Sequence, residues 1–180
     1  MNKLVLTGFV LAAVVLAGCQ SMSESECKVA DWGRVGLSDG TRGESEKLLA
    51  DYTEDCGKTG VVPNAQAYRK GWDEGIKHFC TAANGWREGQ AGHSGKDQVC
   101  VGQTGYEGFS RALNAGLQVY RTQQRMNSNT QETNRLQKQL EASKSDDEKR
   151  QIRDRMGLID KDQFRLRSLL GQQQLLAPQP

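Results

Sequence analysis

Asn64-Ala65-Gln66-Ala67-Tyr68-Arg69-Lys70-Gly71-Trp72-Asp73-Glu74-Gly75-Ile76-Lys77-His78-Phe79 is the stretch that decides the fold class. Ala65, Tyr68, Trp72, Gly75 and Phe79 recur at steps of 3 and 4. That is the repeat of one helix face. Asn64 stands where its side chain can accept from the first free backbone N–H groups of such a helix. Two glycines, Gly71 and Gly75, sit inside it. A glycine in a helix interior costs about 1 kcal/mol relative to alanine, so the pair needs a physical reason. The reason is close approach: without a Cβ, another backbone or a ring can lie directly on the helix.

The same device recurs on both sides. Gly36 and Gly40 follow Trp32, Gly85 and Gly89 flank Trp86, and Ala112 and Gly116 follow Phe109. The pattern reads as a degenerate internal repeat with an uneven period. Ser23-Glu24-Ser25-Glu26 is a capping box, from which a first helix runs to about Gly40 with Val29, Trp32, Gly36 and Gly40 on one face. Gly40 to Gly43 is a turn. A second helix covers about 45–55, with Leu48, Leu49 and Tyr52 inward, before Gly57, Gly60 and Pro63 stop it. A fourth helix includes about 84–92, and 93–104 reads as loop. Fifteen of the 20 glycines lie between Gly33 and Gly108, which marks a glycine-rich helical head over 23–108. Two uses of the small-residue faces follow. One is tight packing within the head. The other is a groove for a glycan or protein, with Trp32, Trp72 and Trp86 as stacking surfaces.

Beyond the head, residues 109–174 form a helical appendage. Ala112, Ala115, Val119, Thr122, Met126, Asn129, Thr133, Leu136 and Leu140 advance by 3 and 4. A second seam runs through Ile152, Met156, Ile159, Gln163, Leu166, Leu170 and Gln173. These are coiled-coil spacings. Ser145-Asp146-Asp147-Glu148 reads as a capping box that restarts a helix. The expected result is an antiparallel hairpin with Leu140 beside Ile152, Leu136 beside Met156, Asn129 beside Gln163 and Met126 beside Leu166. One longer oligomerising helix and a frayed tail are the competing readings. Residues 175–180 are expected to be disordered. The fold class is thus mainly α: a small disulfide-stapled glycine-rich head, then a long coiled-coil-like C-terminal hairpin.

Net charge is +2, spread unevenly as −3 over residues 19–104 and +4 over residues 105–180, and so dilute a basic excess argues against nucleic acid as a partner. Cys27, Cys56, Cys80 and Cys100 make an even set once Cys19 is set aside. In an exported chain that implies two disulfides, with three connectivities open. An antiparallel hairpin about the turn 40–43 places Cys27 level with Cys56. Cys80 with Cys100 then follows by elimination and by a short closing loop. A metal site on Cys80, Cys100, His78 and His93 matches no zinc spacing, and no cofactor is expected. Asp31, Asp39, Asp73 and Glu74 are the acidic residues from which a carboxylate pair for glycoside hydrolysis would come. No nucleophile motif or phosphate loop accompanies them, so catalytic residues are expected to be none and an enzyme is not expected.

The N-terminus carries its own signal. Leu4 to Leu16 is an apolar run of 13 residues behind Lys3. It is too short to span a bilayer and has the form of a secretory signal over 1–18. It ends in Leu16-Ala17-Gly18-Cys19, which resembles the lipobox of bacterial lipoprotein precursors. The resemblance implies cleavage before Cys19, acylation of Cys19 (palmitate among the chains) and a short tether over 19–22. Gln20 in second place, rather than Asp, implies the outer membrane.

Cys27-x-x-Ala30-Asp31-Trp32-x-x-x-Gly36-x-x-Asp39-Gly40-x-x-Gly43 then resembles a family of small proteobacterial lipoproteins classed as a domain of unknown function. So do Cys56-x-x-x-Gly60, Pro63, Tyr68-x-x-Gly71-x-x-x-Gly75, Phe79-Cys80-Thr81, Gly85 and Gly89. The likeness covers about 19–120 and implies no assigned activity. The expectation is a lipid-anchored, non-enzymatic structural or assembly protein on the periplasmic side of the outer membrane. Its partners are the membrane and an envelope protein or peptidoglycan, with the oligomeric state open. The alternative is a periplasmic binding or inhibitory module that uses the Trp/Gly-rich faces.

Overall fold

The computed structural model describes residues 21–179. The expected signal peptide over 1–18, the expected anchor at Cys19 and Gln20 of the expected tether lie outside the described residues. Within them the chain is helical: α1 (Glu24–Val29), α2 (Trp32–Arg42), α3 (Leu48–Gly57), α4 (Ala65–Phe79), α5 (Ala82–Gln90), a 3-10 turn (Lys96–Cys100), α6 (Tyr106–Ala142) and α7 (Asp146–Gln174).

The glycine faces meet each other. A Cβ on Gly36 would strike the Tyr68 carbonyl, and one on Gly40 the Trp72 carbonyl. Reciprocally, a Cβ on Gly71 would strike the Gly33 carbonyl and one on Gly75 the Leu37 carbonyl. Residue numbers rise together on the two sides, so α2 and α4 run parallel with their backbones in contact. The same holds for α5 and α6. Gly85 lies on the Phe109 carbonyl, Gly89 on that of Leu113, and Gly116 on that of Trp86. Parallel neighbours cannot be joined by a tight turn, so each pair needs a crossover. In the first pair the crossover holds α3; in the second it holds the 3-10 turn.

The two pairs are copies of one unit. Gly36, Gly40 and Gly43 recur 49 positions on, as Gly85, Gly89 and Gly92. Tyr68, Gly71, Gly75 and Phe79 recur 41 positions on, as Phe109, Ala112, Gly116 and Tyr120. The two offsets differ because the second crossover is shorter, and this explains the uneven period. Equivalence extends to detail. Gly43 and Gly92 close α2 and α5 at φ 67° and 83°. Each lies under an aromatic ring, Phe79 and Tyr120 respectively. The next amide in each case, Glu44 or His93, donates to the carbonyl five residues back, Asp39 or Glu88. Left-handed backbone suits glycine alone among ordinary residues, and it satisfies the orphan carbonyls of the helix end.

One core runs through both units. Phe79 and Phe109 stack across the join at 5.2 Å, with Tyr68, Ile76, Leu113 and Leu117 buried around them. α6 serves two parts of the molecule: its first turns lie in this core, and the remainder forms the hairpin with α7.

Several expectations are corrected here. The first helix is not continuous: Ala30 is extended, and Asp31 caps a new helix by accepting from the Arg34 N–H. A capping carboxylate competes with the interior of a helix for backbone donors, and here it wins. Val29 consequently turns out to solvent at 82% exposure and leaves the stripe. The hairpin of the first two helices is absent, since α2 lies along α4. The disulfides nevertheless pair as expected, Cys27 with Cys56 at a Cα separation of 5.4 Å and Cys80 with Cys100 at 5.6 Å. The first joins α1 to the last turn of α3. The fourth helix starts at Ala82, capped by the Thr81 hydroxyl, and the 93–104 loop contains the 3-10 turn that carries Cys100.

The tail is an antiparallel hairpin. Val119, Thr122, Leu136, Ile152, Leu166 and Gln173 are buried along the seam. The polar pair within it is shifted: Asn129 donates to Asp162 at 2.9 Å, and not to Gln163. The carboxylate outcompetes an amide oxygen because it also takes Arg125 and Arg165. Gln163 Oε1 is left buried without a partner. At the tip, Ser145 accepts from the Glu148 N–H, but the Glu148 carboxylate takes the Ser143 hydroxyl at 2.6 Å. The second capping box is therefore half-formed and relayed through Ser143. Residues 175–177, expected to be disordered, continue as turns whose amides donate to Gln172, Gln173 and Gln174. They use carbonyls that the helix end leaves free.

Candidate functional site

Among the described residues, Asp39 is the one carboxylate that the fold places in the core. It projects from the glycine face of α2 and is 1% exposed. Tyr52 of α3 and Tyr68 of α4 both donate to its Oδ2, at 3.0 and 2.9 Å, and Arg42 pairs with its Oδ1 at 2.5 Å. Burial pushes both tyrosine hydroxyls well above their ordinary range, and the adjacent carboxylate adds to it. The node ties three helices together at the point where the backbones touch. A sequence signal existed: Asp39 shares the face of Trp32, Gly36 and Gly40. Both its oxygens are engaged by side chains from the surrounding helices, which suits a structural tie.

Above the node, α1, α2 and α3 enclose an open groove of about 550 Å³ that includes Met22, Glu26, Arg34, Arg42 and Tyr52. Its charges are mixed in sign. The start of the described chain closes one side. Both the N–H and the hydroxyl of Ser21 donate to Asp55 Oδ2 at 2.8 Å. Lys58 holds the other oxygen at 2.8 Å. These partners, Lys58 first, lower the Asp55 carboxyl to about 2. Met22 rests its sulfur 3.9 Å from that of Cys56. The segment following Cys19 is thus clamped onto the same turn that carries the first disulfide. Sequence reasoning missed this clamp, because nothing local links Ser21 to a residue 34 positions away.

The other candidates do not converge. Trp32 and Trp72 are 8% and 7% exposed, so they are core residues and not stacking surfaces. Trp32 packs on Tyr52, and the Trp72 indole donates to the Glu44 carbonyl. Trp86 is half-buried beside the α5–α6 contact. The rings are consumed in covering the glycine seams. Asp31 is a helix cap, Asp73 is exposed and Glu74 pairs with Lys77, so no carboxylate pair forms with Asp39. His78 is exposed, and His93 lies 2.8 Å from Glu88. The sulfurs of Cys80 and Cys100 are bound to each other. Among the described residues no helix is long and apolar enough to cross a membrane.

The paired glycine units lie in a stretch similar to a known sequence family. Residues 31–118 match the family model described as "Protein of unknown function (DUF2799)". The matched segment begins at the cap of α2 and ends two residues after Gly116. It therefore contains both parallel pairs and omits α1, Cys27 and the outer hairpin. It is shorter than the stretch of about 19–120 expected from the motifs. No curated protein and no solved structure matches the chain.

Proposed function

We propose that the protein is a lipid-anchored envelope protein that acts as a non-enzymatic spacer or assembly element on the periplasmic side of the outer membrane. The observation that carries this is Leu16-Ala17-Gly18-Cys19 followed immediately by a clamped segment. An acyl chain contributes about 0.8 kcal/mol per buried CH₂, and two chains give stable attachment. With Cys19 acylated, only Gln20 separates the anchor from Ser21, which is bonded to Asp55. The head is then held against the bilayer, not on a flexible leash. Two disulfides suit an oxidising compartment. The resemblance of the head motifs to small proteobacterial lipoproteins supports the same location, and Gln20 supports sorting to the outer membrane.

The head then works as a base for a projecting arm. From Tyr120 to Ala142 the hairpin extends about 30 Å, at about 1.5 Å per residue. Its surface is polar and multiply charged, suited to contact with an envelope protein or peptidoglycan. The commitment of Asp39 to Tyr52, Tyr68 and Arg42 supports a structural use of the one buried carboxylate. The test is Cys19→Ser in the full chain, with envelope fractionation and labelling by a fatty-acid analogue. Loss of both labelling and membrane retention is expected. Retention and labelling equal to the parent would overturn the proposal.

A further inference from the structure

On the lipoprotein reading the chain is cut between Gly18 and Cys19, yet the head takes hold of it almost at once. Only Gln20 separates Cys19 from Ser21, whose N–H and hydroxyl both donate to Asp55 Oδ2 at 2.8 Å. Two residues of fully extended chain reach about 7 Å. Met22 follows with its sulfur 3.9 Å from that of Cys56, and Ser23 opens α1 with its capping box. From Ser21 onward the chain belongs to the folded head.

That leaves little for a peptidase to grip. An extended peptide is held largely through its own N–H and C=O groups. Ser21, the third residue beyond the cleavage point, cannot offer its N–H while Asp55 holds it. The body of the head starts at the same residue. Cleavage then follows the population in which the clamp is open.

The clamp has its own support. α1 has six residues, too few to stand alone as a helix. Its buried residue is Cys27, bridged to Cys56 at a Cα separation of 5.4 Å. Asp55 is the neighbour of Cys56, so the bridge carries the Ser21 stretch to its acceptor. Without the bridge, Ser21 and Asp55 would have to close a loop of 34 residues by themselves. Lys58 holds the second oxygen of Asp55 at 2.8 Å.

We infer that the fold shuts its own maturation site. Once Cys27 pairs with Cys56 and Ser21 docks on Asp55, the Gly18–Cys19 bond is closed to the peptidase, and cleavage has to come first. The inference rests on the lipoprotein reading proposed above. The gated step is a hydrolysis: water gives its hydroxyl to the Gly18 carbonyl carbon and a proton to the Cys19 nitrogen as the peptide bond breaks.

The experiment uses the full-length precursor in cells. It is made under a reversible inhibitor of the lipoprotein signal peptidase, so that the head folds and oxidises before cleavage. The inhibitor is then washed out and the precursor is followed on gels. The variants are Asp55→Ala, Ser21→Pro, and the chain carrying both Cys27→Ser and Cys56→Ser. Parent precursor should be cleaved about tenfold more slowly than each of them, the effect of an opening cost of about 1.4 kcal/mol. Non-reducing gels should show both bridges in Asp55→Ala and Ser21→Pro, which separates an opened clamp from an unfolded head. Without inhibitor all four chains should be processed alike. Equal rates after washout would overturn the inference. So would faster cleavage of the cysteine variant alone, because the clamp would then carry nothing. A parent chain never cleaved or acylated, even without inhibitor, would instead refute the lipoprotein reading and take the inference with it.

Discussion

Gly33 and Gly36 are neighbours on α2 with opposite requirements. An added Cβ at Gly36 falls on the backbone of α4, where nothing can swing aside. At Gly33 the nearest atom is Asp31 Oδ1 at 3.4 Å, an ordinary contact. Gly36→Ala should therefore destabilise the head by about 1–3 kcal/mol through overpacking. Gly33→Ala should be neutral or stabilise it by up to about 1 kcal/mol through helix propensity. Urea unfolding of the two variants measures the contrast; equal effects would mean that α2 and α4 do not touch. The Asp39 node has a separate signature. Tyr52 and Tyr68 hydroxyls are raised, so both stay protonated in the folded state where ordinary tyrosines ionise, near pH 10. Stability from this source is complete below that pH and is lost above it. Phenolate absorbance at about pH 11 should rise when the protein is unfolded; no rise would remove the buried node. Sequence reasoning singled out Gly36 and the reason it is small, close approach of another backbone. It did not find Asp39 as a buried residue, because an aspartate between Ser38 and Gly40 reads equally well as a solvated helix surface.

The helices themselves were legible where periodicity was long and capped. Asn64, Ser23 and Ser145 mark true starts, and both hairpin seams are buried as their spacing requires. The pairing of head helices was not legible. Consecutive helices joined by a glycine turn suggest an antiparallel hairpin, whereas the glycine faces favour a parallel contact that skips α3. Nothing in a single helix states the direction of its partner. In the hairpin, the inter-arm clamp is Asp162, whose carboxyl is lowered to about 2 by Asn129 first, then Arg165 and Arg125. A depressed carboxyl contributes stability above its unfolded value, near pH 3.9, and loses it as pH falls through the folded value. Circular dichroism should show the hairpin weakening between about pH 4 and pH 2. Asp162→Asn should remove that part of the transition. An identical acid profile in the variant would show that the clamp carries nothing.

At the scale of the whole molecule, the chain is a duplicated unit with an arm grown from its last helix. The duplication was visible only as an uneven repeat, since insertions in a crossover shift the sequence offset without disturbing the contact. The two bridges follow the same modular plan, and each stabilises its unit by roughly 3 kcal/mol in the chain-entropy model. Cys27 joins Cys56 and Cys80 joins Cys100, so the covalent loops neither overlap nor nest. The order of synthesis can therefore choose the pairing. On the export route proposed above, a polypeptide threaded through a translocation pore N-terminus first would present Cys56 while Cys80 is still inside. An oxidase that couples thiols as they emerge would make both native bridges without error correction. Cells lacking a disulfide isomerase should still yield fully oxidised protein, while loss of the oxidase should expose four titratable thiols. Free thiols in the isomerase-deficient strain would mean that the bridges are reached by reshuffling. Sequential pairing on that route would spare the chain a proofreading step that proteins with interleaved bridges require.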